Sequence, residues 1–480
     1  MRQSIIPFVL SVGLCAPLMT AHAAGKTSIP QTAVSSAAQL RDRALDDPTA
    51  WNFVRDLSTE VGPRLAAGAN DKRARDWVVA RFRKLGFDKV WTEPVSFPKW
   101  VRRHESGSIV SPFPQKLVLS ALGYSSGTPA GGLTAQVIRF KNLDALKQAD
   151  PAEVKGRIVY IGQRMHRFRD GRDYRIGSSI RVAGPPLAAS KGAAAYLLRS
   201  AGTDAHQRIA HTGVTGFRDP SRAIPAAALS NPDADQLERI LGYGKPVKVH
   251  LDLDVGLEGQ YTGANVIGQI NGATHPEQVV AIGGHLDSWD PGTGAIDDGA
   301  GVAISAAAAH LIGSMPQRPA RSIRVIAFAN EEMGLWGARA YAKAHAGEVA
   351  SHVLGAESDF GAGKVWRLSA SVKPGARHAM EQIAAVLKPL GVAYDAERGG
   401  SGGSDLSQMH AIGMAGLSLS QDGTHYFDWH HTSNDTLDKI KPDELAQNVA
   451  VYAAFAWMAA QADGDFGSAP GAFKDDKGEE

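Results

Sequence analysis

Ala281-Ile282-Gly283-Gly284-His285-Leu286-Asp287-Ser288-Trp289-Asp290, followed by Gly294-Ala295-Ile296-Asp297-Asp298-Gly299-Ala300-Gly301, is the stretch from which the rest of the chain can be placed. Val279, Val280 and Ile282 are β-branched and run into Gly283-Gly284, the pattern of a buried strand. His285 and Asp287 then emerge at the strand's carboxyl end, where open α/β sheets place their ligands. A polar, Gly-rich turn leads to Asp297 and Asp298, and Gly299 to Ala309 is small and apolar, a helix able to lie close on a sheet. A strand-end His with an Asp pair at a helix start makes half of a metal site. The same residues would also suit a ribose- or phosphate-binding turn.

Further stretches decide between these readings. Ile323 to Ala329 is a second apolar strand, and it ends in Asn330-Glu331-Glu332 before a Gly and a helix. Adjacent acids at a strand tip point to opposite sides, so one can bind metal while its neighbour faces a substrate. His352 to Asp359 is a third strand ending in acids, and Tyr426-Phe427-Asp428-Trp429-His430-His431 sets a His pair among aromatics. Four separate strand or loop ends thus each deliver His, Asp or Glu.

The chain has 480 residues, too long for one ordinary domain, and a formal net charge of +2. That balance implies neither a nucleic-acid footprint nor an acidic scavenging surface. Residues 1–23 read as a secretory signal: Arg2, an apolar centre from Ile5 to Leu14, and Ala21-His22-Ala23 as the cleavage pattern. The alternative, a membrane anchor, is disfavoured by a short run broken by Pro7 and Pro17. The single cysteine, Cys15, lies within that leader and is preceded by Leu14, where a lipoprotein signal prefers a small residue, so the mature protein has no disulfide. No other segment is expected to span a bilayer. Export to the periplasm or the medium is the expected localisation.

Taken in order, helices are expected at Ala37–Ala44, Ala50–Val61 and Arg73–Leu85, then a strand at Val90–Phe97, with Gly62-Pro63-Arg64 as a loop at the edge of the site. From Leu117 to Asp254 the texture changes to short strands (Ala135–Arg139, Arg157–Ile161, Gly192–Leu198, Ile224–Leu229, Val247–Leu253) with helices at Pro186–Ser190 and Pro232–Leu241. This unit carries no acid or His cluster at ligand spacing. Its basic run, Arg164 to Arg181, reads as a solvated loop or as a flap over the site. The main sheet resumes at Asn265–Ile270, with strands at Val279–Gly284, Ser322–Ala329, His352–Ser358 and Leu417–Ser420, and helices at Ala300–Ser314, Trp336–Ala346, Ala376–Leu390 and Pro442–Ala462. That alternation makes the chain an α/β protein.

With these motifs assembled, the sequence resembles the co-catalytic dizinc exopeptidases, the group containing bacterial secreted aminopeptidases. Gly284-His285-Leu286-Asp287-Ser288-Trp289 and Ala295-Ile296-Asp297-Asp298-Gly299 are closest to its carboxypeptidase Q-type branch. Lys155-Gly156-Arg157-Ile158-Val159 and Gly192-Ala193-Ala194-Ala195 resemble a protease-associated insert. The resemblance implies a zinc-exopeptidase mixed sheet with helices on both faces, divided into a signal (1–23), an N-terminal part of the peptidase domain (24–116), a β-rich insert (117–254), a metallopeptidase core (255–462) and a flexible tail (463–480).

It further implies two Zn2+ per chain, with His285 and Asp359 on one, Glu332 and His431 on the other, and Asp297 bridging. Glu331 would be the general base, Asp287 the support of His285, and a cis peptide would precede Asp298. On chemical grounds Tyr426 or His430 would assist at the oxyanion, and the resemblance implies that Ser404 and Asp405 line the pocket. The expected partner is a peptide substrate, with no nucleic acid, no membrane anchor, and a homodimer as one admissible assembly. The expected activity is aminopeptidase, dipeptidase or carboxypeptidase action on dipeptides or short peptides. Two other classes stay open: a single-zinc glutaminyl cyclase and a non-catalytic receptor-like protein of the same fold.

Overall fold

Two strands of 23 residues, β1 (Lys89–Ser111) and β8 (Lys248–Ile270), form the spine of the protein. The computed structural model describes residues 26–474, so the leader at 1–23 lies outside the described residues. β1 and β8 pair antiparallel from Lys89↔Gln269 to Ser111↔Lys248, with register shifts at Pro98/Trp100, Arg102/His104 and Ile109/Ser111. β2 (Gln115–Leu117) folds back on β1. The stretches expected as separate strands, Val247–Leu253 and Asn265–Ile270, are therefore the two ends of one. Between them, Asp254 to Thr262 is polar and Gly-rich, yet it is a largely exposed ribbon whose backbone is satisfied by β1, with Val255 buried.

Each end of β8 seeds one half of a 14-stranded mixed sheet. Towards its carboxyl end the order runs β8, β10 (Arg321–Phe328), β9 (His275–His285), β11 (His352–Glu357), β14 (Gly416–Gln421), β12 (Val365–Ser371) and β13 (Ala393–Tyr394). β9, β10, β11 and β14 are parallel, while β8 runs against β10 and β12 against β14. Alternate residues of β9 enter different cores: Val280 and Ile282 face one, Val279 and Ala281 the other. Both faces are thus covered, which is why this strand reads as a continuous apolar run.

Helices Ala300–Gly313 and Pro442–Ala460 fill the first face, and Trp336–Ala344 lies on the second. The segment Ala295–Gly313 is apolar enough for a membrane span by composition, but it is 94% buried inside the protein. A helix apolar all round is what a central core position demands.

From the other end of β8 the sheet continues through β4 (Leu133–Phe140), β5 (Ile158–Ile161), β6 (Ala195–Arg199), β7 (Ala226–Leu229) and β3 (Leu119–Ala121). This half of the sheet is covered on both faces: Tyr160 and Leu197 enter a core shared with Trp100, Trp289 and Met333, and Val159 and Leu198 enter another. The boundary expected at 254 falls inside β8.

Two expectations change here. The short helix expected at Pro186–Ser190 is the end of a helix spanning Tyr174–Ser190, with Pro185 and Pro186 inside it. Ile180, Arg181, Gly184 and Ala188 are buried along it, so the basic run hides a packed face. The polar run from 463 is not loose over its described part. Phe466 is fully buried, Arg321 donates to the carbonyls of Ala459, Ala462 and Gly464, and Ser468 donates to His352 O at 2.7 Å.

The first turn of the central helix sits close against the end of β11. A Cβ added at Gly301 would lie 1.8 Å from Ser358 O and 2.4 Å from the Asp298 carboxylate. Backbone on one side and a buried carboxylate on the other leave nothing flexible to yield. Gly301→Ala is expected to destabilise the protein by about 1–3 kcal/mol or more, read as a lowered midpoint in calorimetry; an unchanged midpoint would show that the helix can shift.

Candidate metal centre

Because β9, β10 and β11 are parallel and in close register (Gly284↔Ala327, Gly283↔Glu357), their carboxyl ends deliver side chains to one edge. His285 ends β9. β10 turns through Asn330, which holds a left-handed φ of 53°, into Glu331 and Glu332. β11 ends at Glu357, two residues before Asp359. The fourth contributor, His431, follows the short helix Tyr426–Trp429, also with a left-handed φ, 61°.

Asp297 lies at the centre. Its Oδ1 is 3.1 Å from His285 Nε2, and its Oδ2 is 3.3 Å from His431 Nε2. Asp359 approaches His285 Nε2 at 3.5 Å, and Glu332 approaches His431 Nε2 at 2.9 Å. His285, Asp297, Glu332 and His431 are all buried. The peptide between Asp297 and Asp298 is cis.

These residues include groups that could hold a metal ion. Ligand atoms of His285, Asp297 and Asp359 lie within 4.8 Å of one another, and so do those of Asp297, His430 and His431, two groups that share Asp297. Buried Oδ2 of Asp297 and Oε1 of Glu332 have no hydrogen-bond partner, which native proteins rarely tolerate. Imidazole nitrogen with carboxylate oxygen is a zinc-type donor set.

Electrostatics point the same way. Burial alone would lower His285, but Asp287, Asp297 and Asp359 hold it well above the usual imidazole range. Burial likewise opposes His431, and Glu332 and Asp297 raise it well above that range. Burial would raise Asp297, yet His285, His430 and His431 carry it well below the ordinary carboxyl value. The cluster calls for positive charge at both imidazoles. Burial pushes the half-buried Glu331 well above its usual range, against the nearby His285 charge.

The flanking residues divide their work. Asp287 supports His285 through its carbonyl, which accepts from Nδ1 at 2.9 Å, while its carboxylate is 3.7 Å from that nitrogen. The carboxylate instead accepts from the amides of Glu331 (3.0 Å) and Glu332 (3.4 Å), tying the second strand tip to the first. Asp298 accepts from His285 N and Gly301 N, both at 3.0 Å. His430 stacks on His431 with ring centres 3.5 Å apart, and burial together with the His431 charge drives it well below the usual value.

A cavity of about 990 Å³ opens over Asp297, Glu331, Glu332, Asp359 and His431, and Tyr426, His430 and Ser404 line it. Asp405 is buried (1% exposed), next to Glu357, whose carboxylate accepts its amide at 2.6 Å.

Sequence reasoning missed two contributors. Arg64, 1% exposed, reaches behind the site and donates to the carbonyls of Leu286 (2.6 Å), Thr293 (2.7 Å) and Gly294 (2.7 Å). It braces the loop from β9 to Asp297 from within, where an edge loop was expected. Tyr174 stacks on Phe427 (4.6 Å) and meets the edge of His430 (4.9 Å). The basic run was the available signal: Arg172, Tyr174, Arg175, Ser178 and Arg181 all line the cavity.

Comparison with known proteins follows this geometry. Residues 265–456 match peptidase family M28. Carboxypeptidase Q of Mus musculus is 32% identical over 407 residues, covering 85% of this chain and 84% of that protein, and the Homo sapiens carboxypeptidase Q is 32% identical over 84% of each. The crystal structure of a peptidase M28 precursor from Shewanella amazonensis SB2B matches at 46% identity with a TM-score of 0.88, over 92% of this chain and 99% of that one. The aminopeptidase from Aneurinibacillus sp. strain AM-1, at 21% identity, TM-score 0.62 and coverage of 90% and 98%, shares the fold. Similarity along nearly the whole length, and not at the motifs alone, makes this chain a metallopeptidase belonging to peptidase family M28.

Proposed function

We propose that the protein is a secreted zinc exopeptidase that hydrolyses dipeptides or removes N-terminal residues from short peptides. The observation that carries this is the Asp297 carboxylate, one oxygen 3.1 Å from His285 and the other 3.3 Å from His431. His285 and Asp359 would hold one Zn2+, Glu332 and His431 the second, and Asp297 would serve both. When bound, the two ions supply Lewis-acid polarisation of the scissile carbonyl and acidify a water.

Glu331 is the proton carrier. It lines the cavity beside Asp297, and burial raises the proton affinity of its carboxylate, which suits a group that takes a proton from the attacking water and hands it to the leaving amine. Asp287 positions it by accepting its amide. Tyr426 keeps its hydroxyl proton, because burial raises it well above the ordinary phenol value, and can donate to a developing oxyanion with help from His430. Ser404 stands at the cavity wall for the substrate's ends, and Asp405 behind it through Glu357.

The unit 117–254, of protease-associated type in our reading, is a cap. Its helix Tyr174–Ser190 supplies one wall of the cavity, and its flanking loop is held down by Arg167 on Asp428 and Arg169 on Asp422. All proposed ligands come from one chain, so the chemistry does not require the homodimer. The leader at 1–23 supports export to the periplasm or medium.

Atomic absorption should find two zinc ions per chain; one would favour glutaminyl cyclase chemistry and none a non-catalytic protein. Asp297→Ala should lose metal and activity together, and two tightly held ions in that variant would place the bridge elsewhere. Glu331→Gln should retain both ions yet lose about 10²–10⁴-fold in kcat; activity within a few-fold of wild type removes Glu331 from this role. A panel of dipeptides, hexapeptides and casein tests the cap: cleavage should fall with size, and efficient casein degradation would make the insert a recruiting surface instead.

A further inference from the structure

The insert grips the loop that carries His431 along its length. Thr203 donates its amide to Phe427 O at 2.9 Å and its hydroxyl to Asp428 at 2.8 Å. His211 Nδ1 meets His430 O at 2.7 Å. Thr212 then makes a reciprocal pair with His431 itself: Thr212 N donates to His431 O at 3.0 Å, and His431 Nδ1 donates to Thr212 O at 3.2 Å. A carbonyl only accepts, so Nδ1 carries a proton, and Nε2 is the nitrogen that faces Asp297 and Glu332. The group that orients this imidazole therefore comes from the insert, not from the sheet that bears the other donors.

The insert's own segment is held by a buried pair. Asp204 (5% exposed) accepts from His211 Nε2 (His211 1% exposed) at 2.7 Å, and Ser200 Oγ accepts His211 N at 2.8 Å. Gly202 makes room for the ring, since a Cβ there would lie 2.1 Å from His211 Nε2. His211 thus spans from Asp204 to the backbone of His430, with a hydrogen bond at each ring nitrogen.

We propose that Asp204 and His211 are positioning residues for the metal centre: they lock the insert against the 430–431 turn and so keep the Thr212 carbonyl on His431 Nδ1. The cap is then a fixed wall, since it cannot leave the cleft without releasing the ring of a ligand. This inference rests on the reading of His431 as a ligand.

The test is zinc competition with a fluorescent chelator on the full-length holoenzyme. His211→Phe preserves a ring but removes both donors, and His211→Asn keeps one donor for His430 O. His211→Phe should bind one of its two zinc ions about 10–100-fold more weakly, with the other unchanged, with His211→Asn in between. Because Asp204 is left buried without its partner, the metal-free His211→Phe protein should melt earlier than wild type, while kcat should recover with added zinc at constant KM. Both ions bound within two-fold of wild type in His211→Phe would overturn the proposal. Should that variant fail to fold, an unweakened His211→Asn overturns it equally. His431→Ala serves as reference: if it loses zinc while the His211 variants do not, the clamp fails and the ligand reading stands; if it loses none, the ligand reading fails and the clamp with it.

Discussion

A buried negative charge must be compensated, and nearly everything at the carboxyl edge of this sheet follows from that constraint. Asp297, Glu332 and Asp298 are each less than a tenth exposed, and Glu331 and Asp359 stand beside them. Coulomb repulsion among so many acids in a water-poor site would be severe without the facing imidazoles of His285 and His431. Asp297 is the point of balance: one carboxylate oxygen answers each imidazole.

Holding acids in that crowd needs a rigid frame, and the frame is built from backbone. Asp287 accepts the amides of Glu331 and Glu332, Asp298 those of His285 and Gly301, and Asp435 that of Ile296. Asp435 is raised to about 8, first by burial and then by Asp297, and Glu357 to about 8 by burial and Asp359. Arg64 supplies a buried cation behind this shell, spending its donors on carbonyls and adding charge without direct ion pairing. Side chains behind the cavity thus decide where those at its edge stand.

The long β1–β8 ribbon explains how residues 117–254 reach the cavity. They do not hang from flexible linkers; they share β8 with the peptidase sheet, so the two halves are joined by continuous backbone pairing. A wall built on such a ribbon can carry part of the metal centre's support, as the contacts from Thr203, His211 and Thr212 to the 427–431 turn do.

The sequence by itself determined the parallel core and its chemistry. Val279–Gly284, Ser322–Ala329 and His352–Ser358 are apolar runs ending in His or acids, and parallel strands buried on both faces have no other way to read. Local pattern also located the central helix, because Gly301 and the alanines after it suit only close packing. What tertiary structure alone decided lies at long range. The polar middle of β8 is a strand because β1 pairs with it, a property of the partner and not of the segment. The helix from Tyr174 was hidden because its buried face includes Arg181 and Pro185, with Pro186 next in the chain, which local pattern assigns to solvent and to breaks. Arg64, Phe466 and the His211–His430 contact join residues more than a hundred positions apart. No periodicity records such pairings, because the energy that selects them comes from groups that meet only once the sheet has formed.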